Sequence, residues 1–434
     1  MMLKWFKKRK FHKSSNAKRA KFFLTLDIGT ETIKALIFSI SGDLSKKITI
    51  LGVGIEYFNG DNIFNDESTS NVLSGAIVGR DFEAELIKKT ILGAVKKAKQ
   101  NLSFSLADKE LKEKAQKQKN YQVLLGLPPD VLRARIINRS VTREKQKNKI
   151  DKKEQENIYN YIIKVSKKEI SHKFAQETGI LENDIHWISS KILDIKIDGY
   201  QVSTFKGYDG ESLEFKVLVI FLPKDYWQNI EKIITSLDFK IFKVVHLTEN
   251  LFFGFKNKNS NGLFLDVGGE VTQILEVRNS KLHNIDEFKS GGRDFTKALS
   301  QTLGIDDETA RIMEEDYSKK KLSGSAMKKI KEIFSWERKN WYDKLKLKLK
   351  QINPKGVFPA DVFLFGGGSS TPEIEKVLEQ EAVNDWQNIP ISGPPKIKYI
   401  SLKDLQNIED TTKFLNKPQI MPSLFICYSS IIDN

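Results

Sequence analysis

A single cysteine, Cys427, is present among the 434 residues. That excludes a disulfide framework and any cysteine-based zinc site, and a reducing, cytoplasmic setting is expected. Histidine is scarce too, at five residues. His172 and His186 have no Cys, His or carboxylate at ligand spacing, which leaves them as surface or packing residues. No apolar run approaches the roughly 20 residues that cross a bilayer. The apolar residues after the basic start are interrupted within a few positions, so no signal peptide is evident. Acidic charge is in deficit, with 56 Asp and Glu against 71 Lys and Arg and a net charge of +15. The surplus sits in two places. Residues 1–21 hold nine basic and no acidic residues, and residues 327–350 hold nine basic and three acidic. Elsewhere the charge is balanced, which argues against a broad nucleic-acid surface and for no specific nucleic-acid partner.

The length suggests two or three domains with ample core, and a hydrophobic content of 40% is ordinary for a soluble chain. The stretch 22–38, FFLTLDIGTETIKALIF, carries two apolar runs separated by Asp27-Ile28-Gly29-Thr30. It predicts a β-hairpin rather than a strand-to-helix phosphate loop. Its tip offers backbone N–H groups, the Thr30 hydroxyl and the Lys34 ammonium to a phosphate, and Asp27 to a metal through water. Alone, it reads equally as an ordinary turn.

The start, MMLKWFKKRKF, interleaves Trp5 and Phe6 with cations. It reads as a peripheral anchor on anionic lipid, with a solvated basic tail as the plainer alternative. A strand is expected at 52–57, an amphipathic helix over 75–100 and a buried strand over 121–127, ended by Pro128-Pro129. From Asp130 to about Gly210 short strands and a charged helix over 152–173 suggest a small α+β insertion. A buried strand over 215–222 (FKVLVIFL), a helix over 225–236, a strand over 240–246 and a helix over 248–255 follow.

Gly262–Gln273, GLFLDVGGEVTQ, then repeats the opening pattern about 240 residues on, with Asp266, Gly268, Gly269 and Thr272. An internal duplication is the simplest account. A third glycine turn, Gly366-Gly367-Gly368, ends a buried strand and opens a helix that Ser369, Ser370 or Thr371 can cap. Backbone without side chains there lets a nucleotide's base or ribose lie close.

Strand–DxGT, strand–DxGG and strand–GGG–helix, in that order, resemble the actin-like ATPase superfamily. "GAIVGRDFEAELIKKTILGAVKKAK", "SVTRE", "IDGYQVSTFKGYDGESLEFKVLVIF" and "KPQIMPSLFICYSS" narrow the resemblance to the branch of bacterial FtsA, with PilM as a close relative. It covers residues 22–434. It implies an α/β, actin-like (ribonuclease H-like) two-lobed ATPase fold with an inserted SHS2-type subdomain. The chain would divide into a basic tail (1–21), a first lobe (22–128), the insertion (129–210), a return to the first lobe (211–258), a second lobe (259–416) and a closing helix on the first lobe (417–434).

The resemblance also implies ATP and Mg²⁺ as ligands. Asp27 and Asp266 would face the metal, largely through water. Gly29, Thr30 and Lys34 would take the phosphates on one side, and Gly268, Gly269 and Thr272 on the other. Gly366, Gly367, Gly368 and Ser369 would line the adenosine, with Arg311 and Glu314 on the helix that flanks ribose and base. Two carboxylates about a metal, with donors around phosphate oxygens, is what phosphoryl chemistry requires.

The sequence departs from the family's pattern at several points. Glu31 and Glu270 put carboxylates where smaller residues let phosphate approach. Arg311 and Glu314 invert the usual charge order. His246 and Glu249 are the candidates for orienting a water, with a helix-end cap or surface position the plainer reading of each. A nucleotide-holding scaffold is therefore expected, at most a weak ATPase.

The outer part of the second lobe is short, with a long basic helix over 326–350 in place of hairpins. The family's C-terminal membrane helix is expected to be lacking, and the basic tail to serve instead. The implied role is an adaptor in cell division. It would self-associate into filaments, bind the acidic C-terminal tail of FtsZ and sit on the inner face of the cell membrane. The alternative is a PilM-like scaffold of type IV pilus assembly, binding a peptide of an inner-membrane protein. A superfamily phosphotransferase is a third, less supported reading, since no Asp is placed as base for a substrate hydroxyl.

Overall fold

A computed structural model describes residues 22–41, 46–58, 81–103, 109–118, 121–256, 260–354, 356–381 and 390–432. The proposed anchor over 1–21 and the start of the helix expected from residue 75 lie outside the described residues.

Two sheets carry the two lobes. In the first, Phe22–Ile28, Thr32–Ile40 and Ile48–Tyr57 form an antiparallel meander. Gln122–Gly126 and Lys240–Val244 extend it in parallel on the Phe22–Ile28 side, and Ile408–Asp410 closes the far edge. The second sheet repeats the scheme. Gly262–Val267, Val271–Arg278 and Lys281–Lys289 form the meander, and Asp361–Phe365 and Lys396–Tyr399 add in parallel. The duplication read from two similar hairpins thus extends to the strand order of whole sheets. Parallel additions bury both faces of the first strand in each lobe, which is why those strands read as unbroken apolar runs.

The insertion has its own antiparallel sheet, ordered Arg133–Thr142, Ser212–Pro223, Ile185–Ile197, Tyr200–Val202. One helix, Lys152–Thr178, covers it, started by the Asp151 side chain accepting from Glu154 N–H and ended at Gly179 in the left-handed region. The run FKVLVIFL, expected to return to the first lobe, instead forms the second strand of this sheet, hydrogen-bonded on both sides. Its alternate residues explain the misreading. Phe215, Val217, Val219 and Phe221 enter the insertion's core, while Leu218, Ile220 and Leu222 enter that of the first lobe. A strand buried on both faces carries no alternation to say which sheet holds it.

Other expected elements shift as well. The helix expected over 248–255 is a short 3₁₀ turn, Leu247–Glu249, then a single helical turn, Leu251–Gly254. In the second lobe, helices Gly292–Leu303, Asp307–Ser318 and Gly324–Ile352 occupy the outer part, and no strand lies among the described residues between Lys289 and Asp361. The long basic helix buries Ile330, Phe334, Trp341, Tyr342, Leu345 and Leu349 and leaves its lysines outward.

The lobes are tied in two places behind the cleft. Phe425, on the closing helix Met421–Cys427, packs against Phe255 and Phe365 at ring separations of 5.9 and 5.8 Å. On the insertion side, Arg135 donates to both oxygens of Glu287 in the second lobe, at 2.7 and 2.5 Å. Burial pushes the Glu287 carboxyl up, but the Arg135 guanidinium outweighs this and holds it below the usual range. Removing Glu287 deprives the half-buried Arg135 guanidinium of its bidentate acceptor and leaves Arg133 with Glu177 alone. Glu287→Ala should therefore cost about 3 kcal/mol in urea unfolding, against which Glu→Ala at exposed Glu409 should cost nothing measurable.

Candidate functional site

The register of the first hairpin sets Asp27 directly opposite Lys34. Directly opposed residues project from one face of the sheet, and Lys34 Nζ lies 3.2 Å from Asp27 Oδ2. The same oxygen accepts from the Ser423 hydroxyl of the closing helix at 2.7 Å. Both charges are buried. Gly29 closes the turn by donating its N–H to Thr32 O at 2.9 Å, and Gly268 does so to Val271 O at 2.9 Å in the second hairpin. Asp266 there matches Asp27. Burial pushes its carboxyl up to about 7, with the Asp27 charge adding to the rise and Lys34 opposing it. Gly366, with φ of 89°, passes so close to this carboxylate that a β-carbon would collide with it.

Behind the second turn three backbones meet. The Gly268 and Gly269 carbonyls accept from Gly292 N–H at 3.0 Å and Arg293 N–H at 2.8 Å, at the start of helix Gly292–Leu303. Gly368 packs against Gly268 and Gly292 with no room for side chains. Sequence reading missed Gly291, Gly292 and Arg293, although Gly-Gly between a strand and a helix was the signal it used at Gly366–Gly368.

A cleft of about 410 Å³ opens between the lobes. Of the predicted residues, Asp27, Gly29, Thr30, Lys34, Asp266, Gly268, Gly269, Arg311, Glu314, Gly366, Gly367, Gly368 and His246 all line it. Three do not. Thr272 turns its hydroxyl to Ser290 O at 2.7 Å and accepts from the Trp341 indole at 2.9 Å, inside the second lobe. Strand alternation gives the cleft its neighbours Val271 and Gln273 instead. Ser369 is buried, with its hydroxyl on Gly366 O at 2.8 Å, while Ser370 and Thr371 face the cleft. Glu249 faces the insertion, accepting from Lys191 at 2.8 Å and Ser189 at 3.3 Å. It anchors that sheet and cannot orient a water in the cleft.

Glu314 is fixed by hydroxyl donors from Thr296 and Thr371, each at 2.6 Å. Burial nevertheless raises its carboxyl to about 7. His246 is held between Thr248, whose hydroxyl is 2.7 Å from Nδ1, and Gln273, 3.2 Å from Nε2. Burial first, and the Arg135 charge second, lower it to about 3, so the ring is neutral at pH 7. Gln273 was not foreseen either.

No group of three or more His, Cys, Asp or Glu side chains converges among the described residues in a way that could hold a metal alone. Two carboxylates at one end of a cleft nonetheless suit Mg²⁺, which keeps several waters and takes further oxygens from phosphates.

Burial of Asp266 is destabilising where its carboxyl must ionise. A carboxyl raised to about 7 from an ordinary 3.8 binds its proton more tightly folded than unfolded, so stability falls as pH rises from about 4 to 7. Asp266→Asn should remove that fall. Without nucleotide, the variant should melt several degrees above the parent at pH 8 and converge with it near pH 4, as read by thermal denaturation.

No protein-family model matches the sequence, and no curated protein matches it. Solved structures do. A PilM–PilN type IV pilus biogenesis complex contains a chain similar to this one with a TM-score of 0.59 at 12% identity, over 94% of this chain and 98% of that one. MreB 5 of Spiroplasma citri bound to AMPPNP gives 0.43 at 11% identity, over 95% and 98%. The ethanolamine utilization protein EutJ from Carboxydothermus hydrogenoformans gives 0.41 at 10%, over 93% and 88%. With two lobes of one topology about a cleft, and an insertion carried on the first, the chain has the actin-like ATPase fold.

Proposed function

We propose that this protein is an ATP-holding scaffold of the actin-like kind and not a working ATPase. The observation that carries the reading is the convergence of Asp27, Lys34 and Asp266 at one end of a cleft walled in part by the bare backbone of Gly29, Gly268, Gly269 and Gly366–Gly368. Lys34 and the Thr30 hydroxyl would meet phosphate oxygens there. Asp27 and Asp266 would hold Mg²⁺ through water, which would supply charge neutralisation at the phosphates. Gly366–Gly368 would lie along the adenosine, flanked by Arg311 and Glu314. Turnover lacks an effective proton acceptor at the candidate position, because burial lowers the proton affinity of His246 to a pKa of about 3 and both ring nitrogens are engaged.

As to biological role, a PilM-like part in type IV pilus assembly is the better supported of the two adaptor readings. A likeness with a TM-score above one half, to a chain of a PilM–PilN complex, spans nearly the whole of both chains. The partner would then be a short segment of a pilus inner-membrane protein. The division-ring reading rests on the inserted subdomain, the helix before it and the basic aromatic start of the sequence; the basic helix Gly324–Ile352 is compatible with an acidic FtsZ tail and does not itself argue for one.

Lys34→Ala should abolish ATP–Mg²⁺ binding in calorimetry. Absence of binding by the parent at millimolar nucleotide would remove the proposal. Pull-downs with a pilus-protein segment and an FtsZ tail peptide separate the two roles, the first being the expected capture. Deleting residues 1–21 should release the chain from anionic liposomes; unchanged co-sedimentation would reject the anchor.

A further inference from the structure

The closing helix Met421–Cys427 meets the first strand through two polar contacts. Ser423 donates its hydroxyl to Asp27 Oδ2 at 2.7 Å, and one turn on Cys427 Sγ lies 3.2 Å from Thr25 Oγ1. The spacing fits, because residues four apart on a helix and two apart on a strand each share a face. The Ser423 contact is the unusual one. A helical serine commonly turns its hydroxyl back to a carbonyl of its own helix, as buried Ser171 does to Lys168 O at 2.9 Å. Ser423 is fully buried and sends its hydroxyl across to a charged group on another element.

Its effect on Asp27 is directional. Lys34 Nζ, 3.2 Å away, acts on the same oxygen, Oδ2. Two donors on one oxygen fix the orientation of the carboxylate, and Oδ1 accepts from no group among the described residues. Oδ1 lies instead beside Gly126, a cleft residue where a β-carbon would stand 3.4 Å from it. The serine is in turn held from both lobes. Ahead of it Pro418 O accepts from Gly366 N–H of the second lobe at 3.1 Å. Behind it Phe425 packs against Phe365 of that lobe and Phe255 of the first.

We infer that Ser423 is a positioning residue for the metal: it turns the Asp27 carboxylate so that Oδ1 is the oxygen offered to the hydrated ion. The inference rests on the nucleotide reading of the cleft and adds to it a residue of the closing helix. Without the hydroxyl, Lys34 is left as the donor that orients Asp27, and the carboxylate is free to turn both oxygens toward it. The phosphate donors Lys34, Thr30 and glycine backbone do not act through Ser423. The loss therefore falls on metal-assisted binding and spares binding of the nucleotide by itself.

Calorimetry on the full chain tests this, with ATP–Mg²⁺ and with ATP in EDTA, for the parent, Ser423→Ala, Ser423→Cys and Cys427→Ala. Each is first shown by thermal melting to fold. Cys427→Ala loosens the same helix one turn away without touching the carboxylate. Ser423→Ala should bind ATP–Mg²⁺ about tenfold more weakly, with its affinity for metal-free ATP within about twofold of the parent's. Ser423→Cys, a weaker donor of similar shape, should fall between them for ATP–Mg²⁺, and Cys427→Ala should match the parent in both conditions. An equal loss with and without Mg²⁺ in both Ser423 variants overturns the inference and leaves the nucleotide reading standing. So does unchanged binding in both, or the same Mg²⁺-specific loss in Cys427→Ala. Absence of binding by the parent in either condition removes the nucleotide reading, and this inference with it.

Discussion

One buried ammonium governs the cleft. Lys34 neutralises Asp27 across a hairpin whose register allows no other pairing, and its field is the term that opposes the rise in the Asp266 carboxyl. Two acids brought together by two sheets would repel each other and both resist burial. The Lys34 stem spans one strand to reach the meeting point of the lobes, and Ser423 adds a donor from the closing helix. Sheet register, closing helix and charge balance are in this way fixed at one place. The remaining strain is at Asp266, the acid without a direct cation.

The sequence disclosed the pieces whose signal is local. A turn of Asp, Gly and Thr between apolar runs predicts a hairpin, and its repeat at Asp266 predicts a second. What it could not disclose is direction. Thr272 and Ser369 sit where a family pattern places cleft residues, but alternation along one strand and a one-residue difference in a 3₁₀ turn point both inward. Glu249 failed for a related reason, since its target, Lys191, lies on a strand of the insertion nearly 60 residues away. Arg293 escaped notice because its partners, Glu270 and Asp307, lie elsewhere in the chain and meet it only in the fold.

The glycines carry two different meanings. Gly366 answers to backbone geometry and to the carboxylate beside it. Gly269 answers to the Glu31 side chain from the facing lobe, and a sequence reader has no way to distinguish that from a place kept open for ligand. The same absence of a β-carbon serves access in one fold and internal packing in another.

Strand Ser212–Pro223 makes the insertion and the first lobe mechanically one body. Its odd-numbered inner residues belong to one core and the even-numbered ones to the other, so neither core can slide without shearing the other. A partner that grips the insertion therefore pulls on the sheet that holds Asp27 and Lys34, along a rigid strand instead of through a hinge. In this chain the insertion is coupled rigidly to the lobe that carries Asp27 and Lys34, and it is no detachable module.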